Sequence, residues 1–138
     1  MVNYATMKKL LLLFLFVNLF ACQKEKIANH YVSELYDLSA DAFMAKYKAT
    51  KDAQLVDVRT QLEYADGHIQ YAILIDYNGI NFKKELIQKL NKSKPVFLYC
   101  RSGNRSKKTV EIMQELGFKE INNLNGGYNE LIQFTEEC

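Results

Sequence analysis

Histidine, cysteine and proline are scarce in this sequence, and its charges nearly cancel. Its 138 residues hold two histidines, three cysteines and one proline. With only His30 and His68 available, a metal site or a Cys–His pair has little support, so no metal and no cofactor are expected. A single proline, no low-complexity segment and 49% apolar residues point to a folded globular domain. About 110 residues remain beyond the N-terminal segment, enough for one layered core without disulfide staples. The net charge is +2, and two of the basic residues, Lys8 and Lys9, lie in an N-terminal segment without acids. Without them the balance is even. No nucleic-acid partner is therefore expected, and any positive potential must be local.

What the sequence does have begins at its N-terminus, with "MKKLLLLFLFVNLFACQKEK" from Met7. Two lysines precede an apolar run, Leu10 to Ala21, broken only by Asn18. The run is short for a membrane span and has the charge and length of a signal peptide. A buried helix of the domain is the alternative, but no polar face alternates with the apolar one. Leu19-Phe20-Ala21-Cys22 resembles a bacterial lipoprotein signal, in which the cysteine becomes the acylated mature N-terminus. That resemblance implies a signal peptide over residues 1–21 and lipidation at Cys22. The protein would then be exported and lipid-anchored to a bacterial membrane, on its periplasmic or surface face, without a spanning helix. A plain secretory signal that contains Cys22 is the other reading, and Met7 is an alternative start. Residues 22–36 read as a tether and 37–138 as the domain.

Along the body, strand-like and helix-like segments alternate. Ser39 is expected to cap a helix over "ADAFMAKYKAT", with Phe43 and Tyr47 on one face. Strands are expected at Gln54 to Val58, Ala72 to Asp76, Pro95 to Tyr99 and in "KEINNL". Thr60 can cap a short helix, "QLEYAD", that Gly67 stops. Further helices are expected at Asn81 to Asn91, Ser106 to Leu116 and Tyr128 to Phe134. The alternation predicts an α/β layer fold around a mostly parallel sheet flanked by helices, with ligands off the carboxyl ends of the strands. Cys100 falls at such an end.

The stretch "YCRSGNRSK", Tyr99 to Lys107, allows two readings. One is a structural cysteine followed by an ordinary polar turn. The other is a loop that holds an anion against a thiolate, since positive charge and a helix N-terminus both stabilise a thiolate. Arg101 and Arg105 supply forked donors suited to oxyanions, and successive N–H groups of such a turn can converge on an anion. Gly103 supplies the unusual torsions that this curl needs.

Three motifs in order, "LVDVRTQLEYADGHI", "VFLYCRSGNRS" and "NLNGGYNEL", resemble those of rhodanese-like domains, from about Leu38 to Phe134. The resemblance implies a three-layer α/β domain whose active-site cysteine carries sulfane sulfur as a persulfide. Cys100 would be the nucleophile. Arg101, Ser102, Gly103, Asn104 and Arg105 would form the substrate-binding cradle. The partners would be a small anionic sulfur donor such as thiosulfate and a thiol or cyanide acceptor, served in turn. Phosphatase relatives resemble C-x5-R. Here the arginine comes one residue earlier, which favours sulfur over phosphorus or arsenic. A non-catalytic binding or persulfide-carrier module is the rival reading, and the intact loop argues against it.

Asp57, Arg59 and Glu63 match the family's D-V-R…E stretch, and their expected role is structural support of the strand end near the loop. His68 lies in a turn that the family uses structurally, and Gly126-Gly127 is expected to permit a tight turn. After "GHI" the chain departs from the pattern: Gln70, Tyr71 and Asp76 stand where proline or alanine, then glycine, then asparagine or histidine are expected. Tyr71 is expected to crowd that turn. Cys138 has three readings: resolving Cys100, pairing with another chain, or remaining unused.

Overall fold

The computed structural model describes residues 33–136. The signal segment, Cys22, His30, most of the expected tether and Cys138 lie outside the described residues.

Five strands form one parallel sheet: β1 (Glu34–Leu38), β2 (Gln54–Asp57), β3 (Ile73–Leu74), β4 (Val96–Tyr99) and β5 (Glu120–Leu124). They lie in the order β1-β5-β4-β2-β3. Five helices alternate with them: α1 (Ala40–Ala49), α2 (Gln61–Asp66), α3 (Phe82–Lys89), α4 (Asn104–Glu115) and α5 (Gly127–Glu136). This is the mixed α/β fold with a parallel sheet between helices that the alternation predicts.

Side-chain alternation along the central strand sorts the core into two layers. Val96, Leu98 and Cys100 join the layer that also holds Phe82 and Leu86 of α3 and Val110 and Met113 of α4. Phe97 and Tyr99 face the other layer, with Phe43 of α1 and Leu131 of α5. Phe43 and Tyr47 both meet the Phe97 ring edge-on, at 5.4 Å between centroids. All four β4 residues are buried, as expected of a strand covered on both faces. Burying each such side chain contributes roughly 1.5–3 kcal/mol.

Most boundaries shift by one or two residues from the sequence reading, and three of the differences bear on the sheet or the site. Glu34 to Tyr36, read as the end of the tether, belong to β1, which pairs in register with β5 from Glu34↔Glu120 to Leu38↔Leu124. This edge strand is almost wholly exposed, so its residues carry no apolar alternation. The third strand is two residues rather than five, although Ile75 and Tyr77 still donate from their N–H groups to the carbonyls of Asp57 and Val58. α4 begins at Asn104, two residues early, because Gly103 turns the chain in the left-handed region with φ 95°.

Candidate active site

The site grows from the end of β4. Strand alternation aims Cys100 at the layer that α4 covers, and the chain then curls at Gly103 directly into that helix. The first turn of a helix leaves its N–H groups without intrahelical partners. Here one of the groups entering that turn, the Gly103 N–H, donates to Cys100 Sγ at 3.1 Å. Burial pushes the Cys100 thiol up. The Ser106 hydroxyl and the N–H groups of Ser106, Ser102 and Gly103 outweigh it, and the thiol lies below its ordinary value. The Ser106 side chain is buried, and its single hydroxyl hydrogen has a second acceptor in reach, the Gly103 carbonyl at 3.1 Å, to which it donates when it is not turned to the sulfur.

Two neighbours hold this loop. The N-terminus of α5 docks onto it: Tyr128 N–H donates to the Cys100 carbonyl at 2.8 Å and Asn129 N–H to the Arg101 carbonyl at 3.1 Å. Gly127 makes that approach possible. A Cβ there would lie 2.6 Å from the Cys100 carbonyl oxygen and 2.7 Å from that of Arg101. From the other side, Arg105 forms a two-pronged ion pair with Glu63, with both N–H···O contacts at 2.7 Å. The Glu63 carboxylate also accepts from the N–H and hydroxyl of Thr60, both at 2.9 Å, completing the capping box of α2. Arg105 chiefly, with Thr60, holds Glu63 down to about 2 against the opposing effect of burial.

Asp57 and Arg59 form a second, separate pair. Arg59 Nη2 lies 2.7 Å from Asp57 Oδ2, and both side chains are at most 5% exposed. The same Nη2 donates to the Gly67 carbonyl at 2.6 Å, and the guanidinium lies 4.1 Å from the centroid of the Tyr128 ring. Tyr99 stacks beside Tyr128, and its hydroxyl accepts from Ile69 N–H at 3.1 Å. The "GHI" turn is thus tied to the end of β2 and to the start of α5. His68 stacks on Tyr64 at 3.7 Å and its Nδ1 lies 2.9 Å from the Tyr64 carbonyl, a local structural contact.

The structure therefore places Cys100, Arg101, Ser102 and Gly103 in one loop and Asn104 and Arg105 in the first turn of α4, with Glu63 paired to Arg105. Asp57 and Arg59 stand one step back, under Tyr128. Arg101, Ser102 and Asn104 lie exposed on the rim. Tyr71 does not crowd its turn: its side chain is 80% exposed, and its backbone takes φ 69°, the left-handed region that glycine favours. Sequence reasoning did not assign Ser106 a part in the site. Its place in the first turn after the loop was the available signal. Among the described residues no group of three or more His, Cys, Asp and Glu is placed to hold a metal ion.

These features define an α/β domain that ends its central strand in a thiolate-stabilising loop. Residues 39–133 match the model of the rhodanese-like domain, and the chain belongs to that family. The putative sulfurtransferase YtwF of Bacillus subtilis is 36% identical over 94 residues, covering 68% of this chain and 87% of the relative. The thiosulfate sulfurtransferase GlpE of Coxiella burnetii is 35% identical over 78 residues, covering 56% and 70%. A rhodanese-like domain protein from Staphylococcus aureus has a TM-score of 0.60 to this structure at 31% identity, covering 71% of this chain and 90% of that one.

Proposed function

We propose that this protein is an exported sulfurtransferase that moves sulfane sulfur through a persulfide on Cys100. The observation that carries the reading is the Cys100 thiol under the Gly103 N–H at the start of α4, held below its ordinary value. Relatives named sulfurtransferase and thiosulfate sulfurtransferase support the same reaction class.

In the first half-reaction the Cys100 thiolate attacks the outer sulfur of a donor such as thiosulfate. The new S–S bond forms as the donor's own S–S bond breaks, and sulfite leaves with that electron pair. The loop N–H groups then face the terminal sulfur of the persulfide, and Arg101 on the rim attracts the donor's sulfonate. Arg105, tied to Glu63, adds its charge from the side. In the second half-reaction a thiolate or cyanide takes the terminal sulfur and Cys100 leaves as thiolate.

Purified protein is expected to make thiocyanate from thiosulfate and cyanide, and Cys100→Ser to abolish it. Wild-type activity no higher than that of the Ser variant sinks the reading with these substrates. Intact mass after donor treatment is expected to rise by one sulfur atom in wild type and in Cys138→Ser, and not in Cys100→Ser. Export and lipid anchoring at Cys22 are part of the proposal. Acyl-lipid labelling in cells is expected to disappear in Cys22→Ala, and unchanged labelling removes the anchor.

A further inference from the structure

Beside the loop lies a cleft of about 480 Å³, lined in part by Arg59, Glu63, Asp66, Arg101, Tyr128 and Ile132. Its four charged residues fall into two kinds. Arg59 is neutralised by buried Asp57, and Glu63 by Arg105. Asp66 and Arg101 are exposed, and no hydrogen bond or ion pair among the described residues engages either side chain. The cleft thus presents one uncommitted carboxylate and one uncommitted guanidinium, and Arg101 is covalently next to Cys100. Tyr128 and Ile132 line the same cleft.

A cleft with one charge of each sign suits a small zwitterion. We propose that it is the acceptor subsite and that it selects an aminothiol bearing both an ammonium and a carboxylate, of the cysteine type. This inference rests on the sulfurtransferase reading above. The acceptor's carboxylate pairs with Arg101 and its ammonium with Asp66, which leaves its sulfur beside the loop. The acceptor thiolate attacks the terminal sulfur of the Cys100 persulfide. A new S–S bond forms, the bond from that sulfur to Sγ breaks, and Cys100 regains its thiolate as the acceptor leaves as a persulfide. Because sulfite has already left, Arg101 can serve the donor's sulfonate and the acceptor's carboxylate in turn.

The test starts from protein already loaded with sulfur, so that donor binding does not enter. Discharge of the added mass is followed with cysteine, cysteamine, 3-mercaptopropionate and 2-mercaptoethanol, each rate corrected for the fraction of thiolate. Exposed charge contacts are each worth a few-fold, so cysteine is expected to exceed each singly charged thiol by about threefold and 2-mercaptoethanol by about tenfold. Asp66→Asn is expected to bring cysteine level with 3-mercaptopropionate, and Arg101→Gln to bring cysteine level with cysteamine. Normal loading with four equal corrected rates overturns the acceptor inference and leaves the sulfurtransferase reading standing. Ratios unmoved by both variants do the same. Failure of Cys100 to load at all overturns both.

Discussion

Glu63 and Arg105, 42 residues apart in sequence, meet through two N–H···O contacts of 2.7 Å. The contact joins the capping box of α2 to the start of α4 after Cys100, so one carboxylate serves a helix end and Arg105 together. Folding lowers the affinity of this carboxyl for protons, from the ordinary 4.5 to about 2. Its contribution to stability is therefore complete above about 4.5 and lost as the pH falls toward about 2. Both side chains are about a quarter exposed, which trims the contribution to about 1–2 kcal/mol. Glu63→Gln is expected to lose that amount in urea unfolding at neutral pH, and the gap to wild type is expected to close in acid. Equal stabilities at neutral pH would show that the pair contributes nothing.

Ser106 is expected to tune the Cys100 thiol. Its hydroxyl and N–H, with the N–H groups of Ser102 and Gly103, oppose the effect of burial on Cys100. Ser106→Ala removes the hydroxyl and is expected to move the thiol's titration to higher pH, read from thiolate absorbance or from the pH dependence of sulfur loading. An unchanged midpoint would assign the whole effect to the backbone.

Two glycines in the left-handed region separate packing from strain. Gly127→Ala places a methyl group 2.6 Å from the Cys100 carbonyl oxygen, so the loop or α5 must shift. The expected cost is about 2 kcal/mol or more, with sulfur loading slowed by about tenfold or more. Gly117, with φ 83°, has nothing within 4 Å of such a methyl group. Gly117→Ala is expected to cost about 1–2 kcal/mol from backbone strain alone and to leave the loading rate unchanged.

Tyr71 carries the opposite prediction. It holds φ 69° with an 80% exposed side chain, so glycine loses little contact there and relieves the strain. After the greater chain entropy of glycine is set against that relief, Tyr71→Gly is expected to stabilise by about 0.5–1 kcal/mol, a rise of a few degrees in Tm. An unchanged or lower Tm would mean that the ring makes a contact worth keeping.

How far these features were legible depended on whether the signal was local. β4 announced itself as a run of four apolar residues before Cys100, whereas the start of α4 was read two residues late, because only the Gly103 torsion shows that Asn104 is already helical. Thr60 and Glu63 carry a capping box that can be read at a spacing of three residues. β1 was missed because an exposed edge strand has no apolar face to display, and its partner β5 lies 86 residues further on, from Glu34 to Glu120. Asp57, Arg59 and Glu63 looked like one supporting set. Choosing between their partners requires the sheet, which turns Asp57 and Arg59 toward Tyr128 and leaves Glu63 to the loop. Gly127 was read as a turn former, whereas its lack of a side chain matters chiefly as clearance for α5 against the loop carbonyls.

Cys100 is 1% exposed, so the protein's own sulfur is almost hidden. A persulfide places a second sulfur about 2 Å further from the backbone. An incoming nucleophile then meets two chemically similar atoms at different depths. For a thiol acceptor, attack on the outer one would deliver cargo, while attack on the inner one would expel sulfide and leave the protein trapped as a mixed disulfide. On the proposed sulfurtransferase reading, the depth of the cysteine is a device for regiochemistry: burial screens the atom that must be kept and presents the one that is to be given away.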